Sequence, residues 1–87
     1  MNALICLKDI AVGERAVICE LNNPPALRRR LRDMGMIEGT TLECIGKSPS
    51  GDPSSYLVRG TVIAIRAIDA AEITAMRTPN KEPTPWD

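Results

Sequence analysis

The residues of this 87-residue chain that could do chemistry are three cysteines, a cluster of arginines and one proline-flanked loop. Cys6, Cys19 and Cys44 are odd in number, lie far apart and include no Cys-x-x-Cys pair. That argues against both a disulfide framework and a thiolate metal site, and it favours a reducing, cytoplasmic location. Histidine is absent and the acidic residues stand singly along the chain, whereas a hard divalent cation needs several carboxylates or imidazoles converging. No metal or cofactor is therefore expected. The same composition leaves a nucleophile without an evident base, so no catalytic residue is assigned. Cys19 and Cys44 fall within apolar, β-prone segments, where cysteine serves as a small core residue.

Arg28, Arg29, Arg30 and Arg32 could grip a phosphate backbone, but on a helix Arg28 and Arg32 share a side while Arg29 and Arg30 point elsewhere. Arg30 adjoins an apolar stripe, and the plainer reading lays its stem over the rim of the core with its guanidinium on a carbonyl or carboxylate. The loop Pro49-Ser50-Gly51-Asp52-Pro53 is followed by neither Lys-Ser nor Lys-Thr and opens no long helix, so it is not a phosphate loop. It reads first as a structural turn. Its functional reading is a proline-stiffened loop that presents Asp52 and its neighbours to a partner at small entropic cost. Eleven basic residues balance eleven acidic ones and the only aromatics are Tyr56 and Trp86, so neither charge nor base stacking points to nucleic acid. No segment approaches membrane-spanning length, and the short apolar start lacks the basic leader of a signal peptide.

Positioning these residues falls to one helix and a set of strands. The run from Pro24 to Gly35 has a proline suited to the first helical position, Asn22 or Asn23 as cap, and a glycine able to take the left-handed conformation at its end. Leu27, Leu31 and Met34 fall at i, i+4 and i+7 and make its apolar face. Before it, Leu4, Leu7 and Ile10 suggest a lid laid across one end of a core, and Arg15–Leu21 is a β-prone strand ended by Asn22-Asn23-Pro24-Pro25. After it, Thr40–Ile45 alternates as a half-buried strand, with Leu42 and Cys44 on one face. Tyr56–Arg59 and Thr61–Arg66 follow the loop, with Gly60 placed for a tight bend. Asp69 caps one helical turn, and Thr74–Arg77 closes the set as an edge strand. Residues 78–87 carry three prolines and read as a disordered or polyproline-like tail with Trp86 loosely attached. The expectation is a mainly β domain over residues 1–77, a small SH3-like β-barrel with one short α-helix over an opening.

From Arg30 to Ile73 the sequence resembles the ferrous iron transport protein A (FeoA) family, whose fold is shared with the third domain of diphtheria-toxin-repressor-type metalloregulators. The likeness rests on Arg30-Leu31 with Met34-Gly35-Met36 ahead of Gly39-Thr40, then Pro49-x-Gly51-Asp52-Pro53, Val58-Arg59-Gly60, and Ala64-Ile65-Arg66 followed by Ala70 and Ile73. Gly13-Glu14-Arg15-Ala16-Val17-Ile18 resembles the family's opening strand. Glu38 and Ile68 depart from the pattern without touching its glycines. The resemblance implies a non-enzymatic, cytoplasmic accessory protein that binds the cytosolic GTPase region of the FeoB ferrous iron permease, with weak self-association allowed for. The alternative is a stand-alone metal- or peptide-sensing domain.

Met34, Met36 and Ile37 crowd around a chain-reversing glycine, more apolar surface than a narrow helix stripe buries, and methionine suits adaptable contact surfaces. A partner-facing surface is therefore expected from Met34, Met36 and Ile37, the loop residues Pro49, Gly51, Asp52 and Pro53, and the bend Arg59-Gly60. The competing reading makes the methionines caps on the core.

Overall fold

The computed structural model describes residues 4–78. The expected tail lies outside the described residues except for Thr78, whose N–H donates to the Arg15 carbonyl at 3.1 Å. The chain runs through β1 (Leu4–Cys6), a 3₁₀ turn (Leu7–Asp9), β2 (Arg15–Leu21), α1 (Pro25–Asp33), β3 (Thr41–Lys47), β4 (Ser54–Val58), β5 (Thr61–Ile65), α2 (Ala67–Ala70) and β6 (Ile73–Arg77). Period-two alternation decides the strand faces: Ala16 and Ile18 in β2, Leu42 and Cys44 in β3, Tyr56 and Val58 in β4, and Ile63 and Ile65 in β5 all point inward. With Leu7, Ile10, Leu31 and Met36 they form one core of mostly aliphatic side chains around the fully buried Tyr56.

The strands form one antiparallel six-stranded sheet in the order β1-β6-β2-β3-β4-β5. The expected barrel is thus not closed. Its two outer strands, β1 and β5, do not pair with each other, and each has one ladder partner among the described residues. Register shifts at Cys19 in β2 and Ile45 in β3 bend the sheet around its core, because a bulge lengthens one strand against its neighbour and sharpens the local twist. The expected lid is half right. Leu7 and Ile10 are buried, but Leu4 is exposed, because residues 4–6 pair with β6 as an edge strand instead of folding over the end.

Two capping expectations are corrected. Neither Asn22 nor Asn23 caps α1, whose N-cap position is Pro24 with no side-chain bond. Asn23 is buried instead and donates its amide to the Asp69 carbonyl at 3.0 Å and to Glu72 Oε1 at 3.4 Å, which ties the start of α1 to α2. Asp69 does not cap α2 either. Arg66 holds that position, and the first free N–H, of Ala67, donates to Asp52 Oδ1 at 2.9 Å from the distant loop. A tertiary contact supplies what local sequence does not.

The end of α1 follows the expectation in detail. Gly35 takes φ +107°, Met36 N–H donates to the Leu31 carbonyl at 2.9 Å and Gly35 N–H to the Arg32 carbonyl at 3.0 Å. This is a Schellman closure, which satisfies two carbonyls that the helix leaves unpaired.

Candidate partner-binding surface

The Schellman closure decides which methionine faces solvent. It carries the residue after the glycine back onto the third residue from the helix end, so Met36 packs into the core with Leu31 and is 0% exposed. Met36 is therefore removed from the expected surface. Met34, at the C-cap, is 38% exposed, and Ile37, one residue past the closure, is 42% exposed. Met36 thus caps the core, as the competing reading has it, while Met34 and Ile37 stay partly exposed.

Gly35 brings a second segment to this spot. A Cβ built on it would stand 3.6 Å from both Arg59 Cδ and Val58 Cγ1, so the end of α1 lies against the β4–β5 turn. That turn has two residues, Arg59 and Gly60, between the paired Val58 and Thr61. Both have positive φ, +51° and +82°, which is the geometry of a type I′ hairpin and the bend expected at Gly60. Met34, Ile37, Arg59 and Gly60 thus form one exposed corner. Beside it Arg32 and Glu38 form a 2.8 Å ion pair, and the Arg32 guanidinium holds the Glu38 carboxyl below the usual carboxylate range.

The loop does not join that corner. Pro53 immediately precedes β4 and Arg59 immediately follows it, so Pro49, Gly51, Asp52 and Pro53 stand at the opposite end of a five-residue strand, about 17 Å of ladder away. The loop is a structured turn: Gly51 N–H donates to the Ser48 carbonyl at 2.7 Å, Ser50 Oγ to the Asp52 carbonyl at 3.2 Å, and the Asp52–Pro53 peptide is cis. Asp52 is occupied with the start of α2, which is a structural task. The sequence hint for it was the familiar one that Asp bonds backbone N–H groups, but the partner lies fifteen residues away and is invisible locally.

Other chemistry is dispersed. Cys6 is exposed on β1, Cys19 half-buried in β2 and Cys44 buried in β3. Among the described residues no group of three or more cysteine, aspartate or glutamate side chains comes together to hold a metal. Glu14 accepts from the Ala11 N–H at 2.8 Å and from Arg77 Nε at 3.1 Å, and chiefly the backbone bond lowers its carboxyl below the usual range. One feature escaped the sequence reading. The α1 stripe Leu27, Arg30, Leu31 and Met34 faces Ala64, Ile65, Arg66 and Asp69 across an open groove of about 230 Å³. Arg30 lines this groove, but its guanidinium makes no hydrogen bond to a carbonyl or carboxylate among the described residues, contrary to expectation.

A small, bent antiparallel sheet with one short helix against its last strand is the SH3-like class, and comparison with known proteins makes the assignment specific. The family model for the FeoA domain matches residues 5–76, and the chain belongs to that family. A solution structure of a FeoA protein from Chlorobium tepidum is similar with a TM-score of 0.84 and 31% identity, covering 90% of this chain and 74% of that one. A zinc-complexed FeoA crystal structure from Stenotrophomonas maltophilia, described as a prokaryotic SH3 domain protein, has a TM-score of 0.66 and 26% identity, covering 86% and 88%. A curated relative from Porphyromonas gingivalis, an Fe(2+) transport protein A/Fe(2+) transporter FeoB fusion protein, is 30% identical over 67 residues. The match takes in 77% of this chain but only 8% of that relative's length. No helix among the described residues is long and apolar enough to cross a membrane.

Proposed function

We propose that this chain is a non-enzymatic accessory of ferrous iron uptake that works in the cytoplasm by contact with the cytosolic GTPase region of an FeoB-type permease. The observation that carries the reading is the Porphyromonas gingivalis relative, in which a similar segment and the FeoB transporter are one polypeptide. Fusion supplies a high effective concentration, which favours an interaction of modest affinity. The exposed corner of Met34, Ile37, Arg59 and Gly60 supports it structurally, since it combines adaptable apolar contact with a rigid hairpin. The loop with Asp52 offers a second, separate contact.

Capture of the permease's purified cytosolic domain tests the reading. The parent chain is expected to bind, and Met34→Asp and Ile37→Asp are expected to weaken binding while the domain stays folded. Asp52→Lys asks whether the loop takes part. Normal binding by all three variants places the contact elsewhere, and failure of the parent chain to bind turns the reading towards a stand-alone sensing domain.

A further inference from the structure

Strand β5 forms one edge of the sheet. It pairs with β4 alone among the described residues, and its sequence Thr61-Val62-Ile63-Ala64-Ile65 has no charge, proline or bulge, the usual devices that keep an edge from pairing with another chain. The opposite edge, β1, has only three residues. The hairpin identifies the free groups. Val58 and Thr61 flank a two-residue turn and so exchange both ladder bonds, as do the pairs at Ile63 and Ile65. Val62 and Ala64 therefore direct their N–H and C=O away from β4. Val62 is 59% exposed.

Alongside this edge lies the groove against α1, so a strand added to Val62 and Ala64 would place alternate side chains over Leu27, Met34 and Ile65. The helical wall carries one cation, Arg30, since Arg28, Arg29 and Arg32 line a different face of α1. Arg30 makes no side-chain hydrogen bond or ion pair among the described residues, whereas Arg66 opposite is held by Asp69 at 3.0 Å. A second copy paired through β5 would lay Thr61–Ile65 in the groove, a strand with no acid to meet Arg30. A proline-rich ligand fits no better: it needs an aromatic-lined groove, and Tyr56, the aromatic among the described residues, is fully buried. We propose that β5 and the groove beside α1 bind an extended, proline-free acidic segment of another protein by strand addition. The proposal goes beyond the permease reading, because any protein presenting such a segment qualifies.

The probe is a capped peptide of two glutamates followed by alternating valine and threonine, titrated into the labelled full chain and followed by NMR. Saturable shifts on β5 and α1 are expected, with the Val62 and Ala64 amides gaining protection from hydrogen exchange. A probe methylated at the amide facing Ala64 keeps its side chains but should bind about tenfold more weakly, the effect of roughly one lost ladder bond. Ala64→Pro should stay folded, since its N–H faces outward, and should lose the probe. Arg30→Glu should weaken binding without moving the unfolding midpoint. Equal binding by the methylated probe, shifts that map elsewhere, or no saturable binding overturns the proposal. So does protection of Val62 and Ala64 that rises with protein concentration alone, which would assign the edge to a second copy.

Discussion

Single residues decide more here than their exposure alone suggests, and the two methionines beside Gly35 are the clearest case. Met36→Asp would put a charge among Leu31 and its neighbours, a change of more than about 4 kcal/mol against a total stability of about 5–10 kcal/mol, so the domain is expected to unfold. Met34→Asp and Ile37→Asp, on exposed positions, should move the thermal midpoint little; circular dichroism melts of the three separate the roles. Tyr56 gives a second prediction. Its buried hydroxyl has no hydrogen-bond partner among the described residues, and burial pushes the phenol above its ordinary range. Tyr56→Phe should therefore be neutral or stabilising by up to about 1 kcal/mol at neutral pH. A phenol raised in the folded state holds its proton more tightly than in the unfolded chain. Its stabilisation is complete below about pH 10 and falls as pH rises through the folded value. The variant should lose that alkaline sensitivity, read from melts on either side of pH 10.

At the scale of elements, stability hangs on contacts between segments that are distant in sequence. Asn23 joins α1 to α2 across forty-six residues, so Asn23→Ala should cost about 1–3 kcal/mol and lower the midpoint measurably by calorimetry. The β4–β5 turn offers the opposite sign. Arg59 sits at φ +51°, a conformation that costs an ordinary residue about 1–2 kcal/mol and that Asn tolerates, and Asn-Gly is the preferred pair for this turn. Arg59→Asn should hold or raise the midpoint. Any loss of permease binding in that variant then reports the missing side chain and not a disturbed fold. Sequence reasoning found the elements themselves well, because strand alternation at Leu42 and Cys44 and the Pro24-to-Gly35 helix are local patterns. It failed at their seams, where Asp52 caps α2 and Asn23 reaches Asp69, because those partners are set by the fold.

Across the molecule, the thiols occupy three strands at three depths, and among the described residues no group of three or more cysteine, aspartate or glutamate side chains converges. Anaerobic calorimetry with Fe(II) at neutral pH is expected to show no stoichiometric site of micromolar affinity. Such a site, abolished in Cys19→Ser or Cys44→Ser, would show that the thiols converge after all. The sequence by itself determined the mainly β class, the helix with its glycine stop, the tight bend at Gly60 and the family, since each depends on residue types within a few positions of one another. Tertiary structure alone decided the rest. Whether the strands closed into a barrel depended on how the bulges at Cys19 and Ile45 bend the sheet, and they leave β1 and β5 apart. Which of Met34 and Met36 faces water depended on the bond from Met36 N–H to Leu31. The loop and the hairpin bend looked like neighbours across a short stretch of sequence, but an extended strand holds its two ends as far apart as the chain allows, and β4 lies between them.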